Sequence, residues 1–133
     1  FWTDVIWGDV DYMFVDMPPG TGDVPLTVFQ SLPIDGIIVV ATPQDLVSMI
    51  VAKAVNMARM MEIPVLGFVE NYSYYQTEVF GKSHLDAMSQ QYNIPILARL
   101  PIDPTVAQMA DMGCIEQVDL AAIEPAAQAL TKE

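Results

Sequence analysis

Basic residues are scarce in this sequence. Five lysines and arginines stand against 17 aspartates and glutamates, which gives a formal net charge of −12. A surface that binds nucleic acid needs clustered lysine and arginine side chains. The basic residues are instead scattered along the chain, at Lys53, Arg59, Lys82, Arg99 and Lys132. We therefore expect no nucleic-acid partner.

Cysteine and long apolar runs are scarce as well. Cys114 is the single cysteine, which excludes an internal disulfide and makes a reducing compartment, the cytoplasm, the expected location. The apolar runs are far shorter than the about 20 residues of a membrane-spanning helix, so we expect no membrane partner. Because 53% of the residues are hydrophobic, we expect a single domain over residues 1–133 with a real core.

The sequence also lacks the phosphate-binding pattern Gly-x-x-x-x-Gly-Lys-[Ser/Thr]. That loop surrounds the phosphates of a bound nucleotide with backbone N–H groups and supplies a lysine charge. Gly81 precedes Lys82, but no glycine stands five positions before Gly81. We therefore expect this chain alone to hydrolyse no nucleoside triphosphate.

The most distinctive stretch is residues 16–23, Asp-Met-Pro-Pro-Gly-Thr-Gly-Asp. Residues 11–16 form an apolar run of the kind that makes a strand buried on both faces, and residues 24–32 have the pattern of a short helix. A carboxylate at the carboxyl end of a buried strand, followed by a Gly/Pro-rich turn, is how α/β proteins present groups to a ligand.

Two residues of this stretch are candidates for a functional role. Asp16 can hold a magnesium ion through water, because hard cations keep several waters and take few carboxylates. Gly20 lets the backbone approach a phosphate closely. The alternative interpretation is a rigid strand-to-helix turn in which Asp23 is the N-cap.

Further apolar runs alternate with helical patterns along the rest of the chain. The predicted strands are residues 36–42, 65–69 and 93–100, and the predicted helices are residues 46–62, 83–92, 105–112 and 119–131. This alternation is typical of a parallel sheet. The predicted fold class is therefore α/β, with a parallel sheet of about four strands and helices on both faces.

Polar residues and prolines follow the predicted strands. The amide of Asn71 offers both a donor and an acceptor, which suits the edge of an adenine; the alternative is an asparagine that hydrogen-bonds its own turn. Asp103 is expected to cap a helix that has Pro104 at its first position. Asp45, in the Thr-Pro-Gln-Asp segment at residues 42–45, and Ser83 are predicted caps of two further helices.

Residues 11–23 resemble the switch II segment of the Mrp/NBP35-type P-loop ATPases, the iron–sulfur cluster carriers of the MinD/ParA superfamily. The resemblance continues at residues 3–8 (Thr-Asp-Val-x-Trp-Gly), 42–45 (Thr-Pro-Gln-Asp), 70–74 (Glu-Asn-x-Ser-Tyr) and 101–104 (Pro-x-Asp-Pro). It covers almost the whole chain but only the second half of that family's domain. Because the chain also begins with Phe1 rather than methionine, we expect the C-terminal part of a P-loop NTPase domain that lacks its Walker A half.

For the intact protein, the resemblance implies ATP hydrolysis coupled to iron–sulfur cluster carriage, with ATP and Mg²⁺ as cofactors. Asp16 is then a catalytic residue that holds the magnesium through water, and Gly20 a catalytic residue that senses the γ-phosphate. The residues implied to frame the nucleotide base are Asn71, Pro101 and Asp103. Residues 42–45 and the switch segment are implied to face the second subunit of a homodimer, and iron–sulfur acceptor proteins are the other implied partners.

The sequence departs from the family after Tyr74. Family members that carry clusters have a Cys-x-x-Cys there, a spacing that suits an iron–sulfur cluster or zinc. Residues 75–82 contain no cysteine, so the resemblance implies no cluster site in this segment.

Two alternatives stay open: a non-catalytic binding or dimerisation module derived from the fold, and a MinD/ParA-type positioning ATPase. The second usually brings a basic or amphipathic surface, which this sequence lacks.

Overall fold

A computed structural model of the chain describes residues 2–18, 22–74 and 83–131. Within these ranges three parallel strands form a sheet in the order β1-β2-β3. In chain order the elements are α1 (Asp23–Ser31), β1 (Ile37–Ala41), α2 (Asp45–Met60), β2 (Val65–Glu70), α3 (Leu85–Tyr92), β3 (Ile96–Arg99), α4 (Pro104–Asp111), a short 3-10 helix (Ile115–Gln117) and α5 (Glu124–Leu130). The predicted α/β class and parallel sheet are confirmed.

Helices α2 and α3 cover one face of the sheet and form the larger part of the core. Val51, Val55 and Ala58 lie four and three positions apart on α2, so they share one face of that helix, and all three are buried. Phe68 of β2 is fully buried in one cluster with Val51 and Val55. The remaining buried members are Val39, Ala41, Leu85, Met88 and Ile94.

Helix α5 covers the opposite face of the sheet. Successive side chains of a strand point to opposite faces, so Val69, next to Phe68, belongs to a second cluster with Ala98 of β3 and Ala126 of α5. The two alanines have small side chains, which suits close contact between α5 and β3. The prediction of helices on both faces is thus confirmed.

The prediction of a strand over residues 11–16 is wrong. Residues 12–18 have no regular secondary structure, and Tyr12 and Phe14 are 57% and 73% exposed. A parallel strand exists through hydrogen bonds to a neighbour, and no described strand pairs with this segment. Its apolar side chains therefore stay exposed, and the sheet of the described residues has three strands rather than the four expected.

Three of the predicted N-caps are displaced by one residue. The N-cap of α3 is His84 rather than Ser83. Gly22 is the N-cap of α1, and Gln44 is the N-cap of α2, so Asp23 and Asp45 are the first helical residues instead. At this position the charge of Asp23 still favours α1, because the N-terminus of a helix carries a partial positive charge.

Among the described residues no helix is both long and apolar enough to cross a membrane.

Candidate functional site

The carboxyl ends of the three strands lie side by side. Ala41 of β1 is in register with Glu70 of β2, and Glu70 is in register with Arg99 of β3. We call the region just beyond these three residues the carboxyl edge. Open parallel sheets bind their ligands at this edge, so the residues that follow the strands are the candidates for a binding site.

Backbone hydrogen bonds join the turn after β2 to the segment after β3. The N–H groups of Leu100, Ser73 and Ile102 donate to the carbonyl oxygens of Glu70, Leu100 and Tyr74 at 2.7, 2.8 and 2.8 Å. The turn carries Asn71, and the segment carries Pro101 and Asp103. The three residues expected to frame a nucleotide base therefore lie on two segments that are bonded to each other.

Asn71 is half-buried at the centre of the carboxyl edge. Its backbone N–H donates to the carbonyl of Ala41 at 2.7 Å, and its Oδ1 accepts from the N–H of Tyr72 at 2.9 Å. The asparagine thus bonds its own turn, as one interpretation predicted. A carbonyl oxygen has two lone pairs and the amide nitrogen two hydrogens, so the side chain can still donate to and accept from a ligand.

Asp103 is the N-cap of α4, and Pro104 is the first residue of that helix, as predicted. The Oδ1 atom of Asp103 accepts from Thr105 twice, from Oγ1 at 2.7 Å and from the backbone N–H at 2.8 Å. The bond from the Thr105 hydroxyl and, after it, the bond from the Thr105 N–H lower the pKa of Asp103 below its usual 3.8, because both favour the charged form.

We expect Asp103→Ala to lower the free energy of unfolding, because α4 loses its cap. The folded-state pKa of Asp103 is depressed, so its contribution should be complete above its unfolded pKa and disappear as the pH falls through the folded value. Urea denaturation of both proteins at neutral pH and at several pH values below 3.8 measures this difference. Asp111→Ala, at the other end of α4, is the control. A difference that persists unchanged at the lowest pH would contradict the charged cap.

Glu70 is a functional candidate that the sequence analysis missed. Its side chain is fully buried at the end of β2, although a buried carboxylate is costly unless it is paired and hydrogen-bonded. Oε2 accepts from Ser73 Oγ at 2.6 Å and lies 3.6 Å from Arg99 Nη1, and Oε1 accepts from Ser83 Oγ. The only signal in the sequence is a glutamate directly after an apolar run.

Asp16 is exposed in the irregular segment before α1. Over the ranges that the structure describes, it makes no hydrogen bond or ion pair to the carboxyl edge, and no three of histidine, cysteine, aspartate and glutamate come together as metal ligands. One exposed carboxylate suits magnesium, which keeps most of its waters. Gly20 lies in residues 19–21, outside the described residues.

A cavity of about 10 Å³ lies next to Thr42, between β1, α2 and the start of α3, and a space of that size holds one water molecule at most. A larger depression of about 320 Å³ borders Asn93 and Pro95. It lies at the amino end of β3, away from Asn71 and Asp103. Neither of these two spaces has room for a nucleotide beside Asn71 and Asp103.

The fold and the carboxyl edge define an α/β protein of the class that binds ligands beyond the ends of parallel strands. Over residues 1–132 the sequence matches the family described as ParA, NUBPL iron-transfer P-loop NTPase. The chain belongs to this family. The family resemblance that the sequence analysis found in residues 11–23 and in the motifs after the strands is therefore confirmed.

The curated relatives of this chain include iron–sulfur cluster proteins. The chain is 42% identical over 114 residues to the iron-sulfur cluster carrier protein of Aquifex aeolicus, with 80% of this chain and 31% of the relative covered. It is 40% identical over 116 residues to the iron-sulfur cluster transfer protein NUBPL of Mus musculus, with 82% and 36% covered. The chain thus spans about a third of the length of these two relatives.

A solved structure has the same fold. The nucleotide-binding protein from Archaeoglobus fulgidus in complex with ADP matches with a TM-score of 0.76 and 38% sequence identity. The match covers 85% of this chain and 49% of the other. The similarity therefore includes most of the described sheet and helices but about half of the ADP-binding protein.

Proposed function

We propose that this chain is the C-terminal part of an Mrp/NBP35-like protein that binds ATP and couples its hydrolysis to iron–sulfur cluster carriage. The observation that carries the nucleotide part is the bonded pair of segments at the carboxyl edge, which hold Asn71, Pro101 and Asp103. The ADP complex of the similar Archaeoglobus fulgidus protein supports it. The names of the curated relatives support the cluster part.

The roles follow the chemistry of each residue. Asp16 holds Mg²⁺ through water, which supplies positive charge at the phosphates, and Gly20 approaches the γ-phosphate. Asn71 donates to and accepts from the base, with Pro101 and Asp103 beside it. The phosphate-binding loop belongs to the other half of the domain, so this chain alone is inactive. In the complete cytoplasmic protein, residues 42–45 and the switch segment face a second copy in a homodimer.

The cluster ligands of this protein are not in residues 75–82, which hold no cysteine. Cys114 is half-buried, with its Sγ 3.6 Å from the carbonyl oxygen of Met112. A single thiol supplies only one of the four cysteine ligands that an iron–sulfur cluster needs. Delivery to acceptor proteins is therefore proposed on the basis of the relatives.

Isothermal titration of the full-length protein with ADP and GDP in the presence of Mg²⁺ tests the proposal. We expect binding with a preference for ADP, and we expect Asn71→Ala to weaken ADP binding by about tenfold, or about 1.4 kcal/mol. GDP binding should change less, because the lost amide contacts the adenine edge. Asn56→Ala, an exposed asparagine on α2, should bind ADP as the wild type does.

The second candidate is a non-catalytic binding or dimerisation module. The exposed apolar side chains of Tyr12 and Phe14 and the missing phosphate-binding pattern favour it. If the full-length protein binds neither nucleotide, the ATP-binding proposal is wrong and this module becomes the better description.

A further inference from the structure

Among the residues whose burial the structure describes, which leaves out residues 45–47, Glu70 is the one buried charged or polar residue. Removing a carboxylate from water is costly, and the cost is offset only where strong donors surround both oxygens. Here both oxygens are occupied: Ser73 and Arg99 lie at Oε2 and Ser83 at Oε1. A fully surrounded carboxylate of this kind fixes the relative position of the groups that bond it.

The two serines join Glu70 to two different parts of the chain. Ser73 belongs to the turn that carries Asn71, and Ser83 stands just before α3. Ser83 Oγ also accepts from the backbone N–H of Leu85 at 3.1 Å, so the same hydroxyl bonds the first turn of α3 and the carboxylate. One side chain thus holds the Asn71 turn against the N-terminus of α3.

Arg99 extends this network to β3. Its Nη1 lies 3.6 Å from Oε2 of Glu70, and its Nη2 lies 2.7 Å from Oδ1 of Asp86 on α3. Arg99 is the last residue of β3, two positions before Pro101. The end of β3, the turn after β2 and the start of α3 are therefore tied to one another through the Glu70 carboxylate.

We propose that Glu70 is a positioning residue for recognition of the nucleotide base, an inference that rests on the proposed nucleotide site. Glu70 directly precedes Asn71, and its bond to Ser73 closes the turn in which Asn71 lies. The N–H of Ser73 in turn donates to the carbonyl of Leu100 at 2.8 Å, next to Pro101. The carboxylate therefore sets the orientation of the Asn71 amide relative to the Pro101 segment.

A carboxylate suits this position better than an amide of the same shape. It is acceptor-only and takes hydrogen bonds at both oxygens, whereas glutamine has one acceptor oxygen and one NH₂ group. In Glu70→Gln one of the two serine hydroxyls must reorient to accept a hydrogen bond from the NH₂ group of the glutamine. Arg99 also loses its negatively charged partner. The shape of the core is kept while the bonds that orient the turn change.

The test is the ratio of the ADP and GDP dissociation constants of the full-length protein, measured by titration calorimetry with thermal unfolding in parallel. We expect Glu70→Gln and Ser73→Ala each to reduce the preference for ADP by about tenfold. The matched controls are Ser89→Ala, which loses a 2.6 Å bond to the carbonyl of Ile94 outside this network, and Glu116→Gln, an exposed glutamate. Both controls should keep the wild-type ratio, although Ser89→Ala also lowers the melting temperature.

Each outcome has a distinct meaning. If the wild type prefers ADP and both Glu70→Gln and Ser73→Ala keep that preference, the positioning role is wrong, whatever their melting temperatures. If Glu70→Gln does not fold, Ser73→Ala alone decides, since it leaves the carboxylate and its bonds to Ser83 and Arg99 in place. If the wild type binds neither nucleotide, the proposed function is wrong and the positioning role is overturned with it.

Discussion

Asp16→Ala in the full-length protein is expected to lower ATP turnover by at least about 100-fold, the loss typical of removing one group that stabilises transition-state charge. Phosphoryl transfer depends mainly on positioning and on neutralising charge at the phosphates, for which the metal ion is central. Asp16 is proposed to hold that ion through water. Release of inorganic phosphate at saturating ATP and Mg²⁺ measures the effect.

The control for this variant is Asp9→Ala. Asp9 is an exposed aspartate in the same N-terminal part of the chain but outside the switch segment. Its replacement changes the net charge by the same amount and should leave turnover unchanged. Wild-type turnover by Asp16→Ala would show that the switch-segment assignment is wrong.

Phe68→Ala is expected to lower the free energy of unfolding by about 3–5 kcal/mol. The Phe68 side chain is fully buried in the central strand, in one cluster with Val55 of α2 and Leu85 of α3. Truncation removes the contacts of this side chain with α2 and α3 and leaves a cavity that the two helices fill only in part. Urea denaturation of the protein measures the loss as a lower midpoint with an unchanged slope.

Val40→Ala is the matched control for the core. Val40 lies on the neighbouring strand β1 and is 62% exposed. Its replacement should cost at most about 1 kcal/mol, the span of strand propensities. A Phe68→Ala variant as stable as Val40→Ala would contradict the described core.

The sequence predicted the strands that find their partners inside this chain. The apolar runs that became β1, β2 and β3 pair with one another, so their local pattern and their tertiary context agree. Residues 11–16 have an equally apolar pattern, but hydrogen bonds to a neighbour decide whether such a run becomes a strand. A single sequence shows the apolar pattern of a segment but does not show whether another strand lies beside it.

The candidate site was predicted in part for a similar reason. Asn71 directly follows β2, and Asp103 lies four positions after the end of β3. Because parallel strands bring their carboxyl ends together, the edge that the two residues share could be inferred. The role of Glu70 depends on Ser83, 13 positions away, and on Arg99 of another strand. No local sequence pattern predicts that these three residues come together. On the basis of its charge alone, Glu70 would be expected on the surface.

The two serines that bond Glu70 have a consequence for how this chain tolerates changes of length. Because Ser73 and Ser83 are held by one carboxylate, the ends of the segment between them stay close whatever its length. Closing a loop costs only about 0.6 kcal/mol more for each doubling of its length. Insertions between these serines should therefore leave the sheet and the carboxyl edge intact.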